Sequence, residues 1–198
     1  MIELCPVLEA HAEALFPLVF QTSVADTIVW NGPESLEEFR AALREREEKT
    51  RSGLLHQFTI IGSEGAAVGT IDIVPDPVNA SGSIGLWIGT RFHGLGYGSE
   101  AVRLVVRLGF DGLKLERLQA RVFVGNRASR RIFEKNGFVV EGTVRHAVRK
   151  RGVFLDTWIL GMIREEYERC RREADLTLPA DSASLPAGRG AAIRGGSW

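Results

Sequence analysis

Three glycines at alternate positions, Gly94, Gly96 and Gly98, lie between an apolar run at residues 84–88 and a helical pattern over residues 99–110. Lacking Cβ atoms, such a stretch opens its main-chain N–H groups to a ligand and admits positive φ. Ser99 offers a helix cap and Glu100 an acidic first turn, while Ala101, Leu104, Val105 and Leu108 recur at helical spacing as one apolar stripe. Free N–H groups and the positive end of the helix dipole favour an anion at that point, by about 0.3–2 kcal/mol from the dipole alone. The stretch reads as a backbone cradle for a phosphate-bearing cofactor. A glycine-rich turn that merely joins strand to helix is the competing reading.

Two phosphate-binding patterns fail on the neighbouring side chains. A P-loop needs Lys and then Ser or Thr after its last glycine, whereas Gly98 is followed by Ser99 and Glu100. A dinucleotide fingerprint begun at Gly94 needs glycine at Ser99, and Glu116 precedes the next strand pattern instead of ending it, which argues against NAD and FAD.

The remaining pattern, Arg91-Phe92-His93-Gly94-Leu95-Gly96, continued by Tyr97-Gly98-Ser99-Glu100-Ala101, resembles the acetyl-CoA loop of the GNAT acetyltransferase superfamily. Its form resembles that common in the RimJ/RimL-type branch, which acetylates ribosomal-protein N-termini. A second block, from Asn126-Arg127-Ala128-Ser129 through Ile132-Phe133 to Asn136-Gly137-Phe138, is similar to that branch's downstream motif, and further matches run from Leu4 to Ile163. The resemblance implies an α/β (α+β) fold: a mixed, mostly antiparallel central sheet with a splayed parallel strand pair and flanking helices. It implies acetyl-CoA as cosubstrate and no metal. Leu86, Trp87, Ile88, Gly89 and Arg121 to Phe123 would line the splay, the loop from Arg91 to Ser99 would hold the phosphates, and Asn126 would bind the cofactor arm. Asn126 is equally a favoured helix cap. Ser129 would stand near the thioester sulfur, able to protonate the leaving thiolate. Many of these enzymes place a tyrosine acid where this chain has Phe133, so the resemblance passes that role to Ser129.

Length and composition suit one domain, residues 1–175. From Thr177 the chain is mostly Ala, Gly, Ser, Pro and Arg, too poor in apolar surface to offset its ordering entropy, so residues 176–198 read as a disordered tail. Equal acidic and basic totals of 25 give no global field for nucleic acid or an anionic membrane. Cys5 and Cys170 have no metal or disulfide spacing. With no apolar segment of signal or membrane-spanning type, a cytoplasmic protein is expected.

The pattern along the chain begins with a strand at residues 2–7 and a helix at 9–21 that Pro17 should kink or break. Trp30 reads as core filling or as a substrate contact. Ser35 and Glu38 form a capping box ahead of Leu36, Phe39 and Leu43. Period-two alternation then marks a hairpin about Gly62-Ser63-Glu64-Gly65, a strand at 118–123 and a last hairpin joined by Lys150-Arg151-Gly152. Arg145, His146, Arg149, Lys150 and Arg151 form a basic cluster, read as a solvated turn or as a patch that recruits an acidic protein.

These readings imply attack of a neutral amine on an acetyl thioester. At pH 7 about a tenth of an α-amine is neutral, against a few parts in ten thousand of a lysine amine. The base candidates are Asp72 and Glu141, with Asp156 and His146 behind them, or a water relay. A protein N-terminus is the favoured acceptor. A small amine, amino acid or antibiotic, or a catalytically weak acyl-CoA sensor, are the alternatives. A homodimer is left open.

Overall fold

The computed structural model describes residues 1–177. Its strands are β1 Glu3–Pro6, β2 His56–Ile61, β3 Ala67–Asp76, β4 Ser81–Ile88, β5 Arg117–Phe123, β6 Val139–Lys150 and β7 Val153–Ile163. They form one sheet in the order β1-β2-β3-β4-β5-β7-β6. Only β4 and β5 run parallel. The helices are α1 Ala12–Val19, α2 Leu36–Arg51, α3 Tyr97–Arg107, α4 Arg127–Lys135 and α5 Arg164–Thr177. Among the described residues, no helix is long and apolar enough to cross a membrane.

Alternation along the strands decides which helices cover which face. On β2 and β3, Ile60, Ile71 and Ile73 pack into one apolar cluster with Val102 and Val105 of α3, Phe133 of α4 and Tyr167 of α5. Phe110, which follows α3 and is fully buried, stacks on Tyr167 at 4.7 Å. Leu15 and Val19 of α1 and Phe39 and Leu43 of α2 form a second cluster, which Trp87 of β4 joins. Its neighbours Leu86 and Ile88 join the first. The intervening positions on β2 and β3 carry buried polar residues, Gln57, Thr59 and Thr70.

Several local expectations change in detail. Pro17 does not break α1, which continues to Val19, with the Phe20 N–H bonded to the Phe16 carbonyl at 2.9 Å. A proline removes only its own N–H from the ladder, and here the helix ends within the next turn. Ser35 caps α2 by accepting from the Glu38 N–H at 3.1 Å, but the Glu38 carboxylate reaches the Glu34 N–H instead of completing the box. Ser99 is not the cap of α3. The helix begins at Tyr97, and the Ser99 hydroxyl and carbonyl accept from Asn136 Nδ2 at 3.2 and 3.1 Å, tying α3 to the end of α4. The last hairpin turns through Arg151 and Gly152, both at positive φ as a two-residue turn requires. Helix α5 is an element that the sequence pattern does not announce, and it occupies the first positions assigned to the tail; the rest of that tail lies outside the described residues.

Candidate active site

The parallel pair is joined only at its start, where Ser81, Gly82 and Ser83 face Arg117, Leu118 and Gln119. Beyond this, β4 pairs with β3 alone and β5 with β7 alone, so their facing edges part. A cleft of about 1170 Å³ occupies this region. On the α3 and α4 side it is lined by the glycine loop and by Asn126, Ser129, Arg131 and Lys135. On the α2 side it is lined by Thr27 to Trp30, Arg46, Gln57, Thr70 and Asp72.

The glycine loop has two kinds of glycine. Gly94 and Gly96 adopt φ of +79° and +83°, and a Cβ on either would meet nothing within 4 Å, so their requirement is backbone conformation. Gly98 lies inside α3, where a Cβ would stand 2.9 Å from Ile132 Cδ1; it permits close packing of α3 on α4. Among the described residues, none of the N–H groups from Gly94 to Ser99 donates a hydrogen bond to the protein. Such a row at a helix start is a ready anion site. Arg121, Arg131 and Lys135 line the same cleft, and none is ion-paired among the described residues. These features fit the phosphates of acetyl-CoA. His93 pins the loop to the sheet, with its Nε2 2.9 Å from the Ile88 carbonyl.

Asn126 caps α4 by accepting from the Ser129 N–H at 3.1 Å, which fixes the first turn that presents Ser129, half-buried, to the cleft. Phe133 is buried edge-on against Phe138 at 5.2 Å and also lines the cleft, where it contributes no hydroxyl.

Across the sheet, Asp72 of β3 lies opposite Gly85 of β4. The Gly85 N–H donates to Asp72 Oδ1 at 3.2 Å, and a Cβ at Gly85 would stand 2.7 Å from that oxygen. Glycine there makes room for a carboxylate leaning over β4. Arg46 Nη1 lies 3.5 Å from Asp72 Oδ2 and donates to Gln57 Oε1 at 3.2 Å, and Gln57 in turn donates to Thr70 Oγ1 at 3.3 Å. Burial pushes the Asp72 carboxyl up to about 6, against the opposing pull of Arg46 and the Gly85 N–H.

Of the residues singled out from sequence, the cleft gathers Trp30, Leu86, Trp87, Ile88, Phe92, His93, Gly94, Gly96, Tyr97, Gly98, Ser99, Arg121, Val122, Phe123, Asn126, Ser129 and Asp72. It does not gather the others. Arg91 lies over the Phe92 ring at 4.7 Å, Leu95 is 60% exposed, and the Gly89 N–H bonds to the Val68 carbonyl at 2.8 Å. Glu141 of β6, the other base candidate, stands apart from the cleft. It holds Arg117 in a bidentate pair at 2.7 and 2.5 Å, which keeps its carboxyl below the usual range, and it is absent from the cleft lining. Sequence reasoning missed Arg46, Gln57 and Thr70. The two polar residues could have been noticed as interruptions of apolar strands, but nothing separates Arg46 from the other charges of α2. Among the described residues, no three His, Cys, Asp or Glu side chains are grouped to hold a metal ion.

The sheet thus opens at one parallel pair, with a row of unbonded N–H groups on one side of the gap and the buried Asp72 carboxyl on the other. Residues 2–139 match the family model described as Acetyltransferase (GNAT) domain. The chain is 32% identical over 138 residues to "Probable N-acetyltransferase YjcK" of Bacillus subtilis, covering 68% of this chain and 76% of that one. It is 26% identical over 154 residues to the ribosomal-protein-serine acetyltransferase of Escherichia coli, covering 74% and 83%. A crystal structure described as "Probable acetyltransferase" aligns at TM-score 0.78 and 25% identity over 83% of this chain and 94% of that one. The fold is also shared with the ribosomal L7/L12 α-N-protein acetyltransferase RimL in complex with coenzyme A, at TM-score 0.74, 24% identity and 82% and 93% coverage. The chain belongs to the GNAT acetyltransferase family, and it is an acetyl-CoA-dependent N-acetyltransferase.

Proposed function

We propose that this enzyme acetylates the α-amine at a protein N-terminus, with Asp72 as the base and Ser129 as the acid. The observation that carries the reading is the carboxyl of Asp72, buried in the α2 half of the cleft and raised to about 6. From an α-amine near 8, proton transfer to such a group is uphill by about 2–3 kcal/mol. From a lysine amine near 10.4 it is uphill by about 6 kcal/mol. The base is matched to the first acceptor and weak for the second.

Acetyl-CoA supplies the acetyl group as a thioester. The loop N–H groups with Arg121, Arg131 and Lys135 hold its phosphates. Asp72 takes the proton that the amine must lose, the amine nitrogen bonds to the acetyl carbon, and the carbon–sulfur bond breaks. On attack the nitrogen becomes cationic and releases its second proton, which passes through the Ser129 hydroxyl to the departing thiolate, so that Ser129 ends unchanged and Asp72 gives the first proton to solvent. Holding both reactants in one cleft supplies much of the rate.

The surroundings of the α2 half support a polypeptide over a polyamine. Its acids, Glu45 and Asp72, are matched by Arg46 and Lys49, and its rim carries exposed Val29, Leu54 and Val74. A polycation would call for surplus carboxylate, whereas a peptide presents one charge and apolar side chains. The RimJ/RimL-type form of the glycine loop and the similarity to the ribosomal-protein-serine acetyltransferase agree with this choice. The test is a pair of peptides, one with a free N-terminal serine and no lysine, one with a blocked N-terminus and an internal lysine. Acetylation of the first is expected. Acetylation of the second alone sinks the proposal.

A further inference from the structure

Lys150 reads from sequence as one of a run of solvated basic residues, yet it is only 6% exposed. It ends β6, and its Nζ donates to the Ile28 carbonyl at 2.8 Å, the Trp30 carbonyl at 3.0 Å and Asn31 Oδ1 at 3.1 Å, with the Val29 carbonyl at 3.5 Å. These partners lie about 120 positions earlier in the chain. An ammonium has three protons to give, and there are three short contacts to receive them. Among the described residues, the Ile28 and Trp30 carbonyls have no other hydrogen-bond partner. Next to Lys150, Arg151 Nη1 bonds to Asp26 Oδ1 at 2.8 Å, a second tie between the same two segments.

The segment held in this way has no strand to fix it. It leaves a short 3-10 turn at Ala25–Thr27 and runs irregularly to α2. Thr27, Ile28, Val29 and Trp30 nonetheless form one wall of the α2 half of the cleft, and Trp30 stacks on Phe39 at 5.9 Å. A wall of irregular backbone keeps its shape only if its polar groups are satisfied from elsewhere.

We propose that Lys150 is a positioning residue for the acceptor: from the end of the last hairpin its ammonium gathers the 28–31 backbone, and so sets the width of the acceptor half of the cleft. The inference rests on the reading that the amine is bound on the α2 side. Lys150 touches neither substrate. It acts through the segment that does, so its loss disturbs recognition of the amine and leaves the acetyl-CoA half, across the sheet, intact.

The test uses the full chain carrying Lys150→Met, with Asn31→Ala as a milder variant that removes one of the three short contacts. The thermal shift produced by acetyl-CoA, read first, should match the wild type in both and shows that the fold and the cofactor half survive. Amide hydrogen exchange over residues 26–31 should then accelerate about tenfold or more in Lys150→Met and less in Asn31→Ala, with residues 67–76 unchanged. With the N-terminal serine peptide, KM for the peptide should rise about tenfold while KM for acetyl-CoA stays within about twofold. Wild-type exchange over residues 26–31 in either folded variant overturns the proposal, as does a parallel rise of both KM values. If Lys150→Met fails to fold, Asn31→Ala decides by the same two readouts. If the wild type ignores the peptide, the N-terminal acceptor reading falls, and exchange alone judges Lys150.

Discussion

Replacing Asp72 by asparagine should make the protein more stable and less active, and the two effects share one cause. The carboxyl is raised from 3.8 to about 6, so ionising it costs the folded state about 2.2 pKa units, or about 3 kcal/mol. Its side chain is 19% exposed, so solvent screens this little. Because the folded pKa lies above the unfolded one, the folded state binds the extra proton between about pH 4 and pH 6. The contribution of Asp72 to stability is therefore fully present below about pH 4 and lost as pH rises through about 6. The asparagine side chain carries no such penalty, and its amide oxygen can still accept from the Gly85 N–H. The Asp72→Asn variant and the wild type should unfold together near pH 4. Above pH 6.5 the variant should be more stable by about 3 kcal/mol, a rise in Tm of about 6–12 °C for a chain of this size. With Asp72 in the base role proposed above, the variant's kcat should fall by about 10²–10⁴. Thermal unfolding of both proteins from pH 4 to pH 8, with rate measurements at pH 7.5, checks both halves. A stability difference that does not change with pH, or a variant less stable than the wild type at pH 7.5, refutes the account of Asp72 as a desolvated acid.

Three further outcomes follow from the same geometry. Gly69→Ala should destabilise the fold by about 3 kcal/mol or more, since a Cβ there would collide with the Trp87 carbonyl, backbone of a paired strand that cannot yield; a two-state denaturant titration reads it. Gly98→Ala presses instead on the flexible end of Ile132, so its loss of stability, by the same titration, should be largely recovered in a Gly98→Ala/Ile132→Val double variant. Arg131→Ala with Lys135→Ala should weaken coenzyme A binding about tenfold and flatten its salt dependence, measured by calorimetry at two ionic strengths, with no change in peptide KM.

The glycine loop is legible in the sequence because its information is local. Glycines at 94 and 96, a following amphipathic stripe and the failure of two other phosphate patterns lie within about twenty residues, and the backbone they require does not depend on distant contacts. Even there, spacing misleads at Gly98: its role is to let α3 approach Ile132, a partner 34 positions away that only packing reveals. The strands are equally legible, since alternation at period two is written residue by residue. Ser99 is not, because Gly96 and Tyr97 start the helix two positions earlier and hand Ser99 to Asn136.

The sequence by itself thus determined the strands, the helices up to α4, the backbone of the glycine loop and the family to which they belong, all of them consequences of short-range spacing. Only the tertiary structure decided which charged residues are buried and which are paired. Asp72 and Glu141 are both carboxylates on strands, yet one is desolvated beside Gly85 and the other is paired with Arg117 outside the cleft. Lys150 and Arg149 are adjacent in sequence, yet one is buried under carbonyls from residues 28–30 and the other is exposed. Burial and charge pairing are set by neighbours brought from far along the chain, and a side chain's protonation and partners follow from those neighbours and not from its own sequence context.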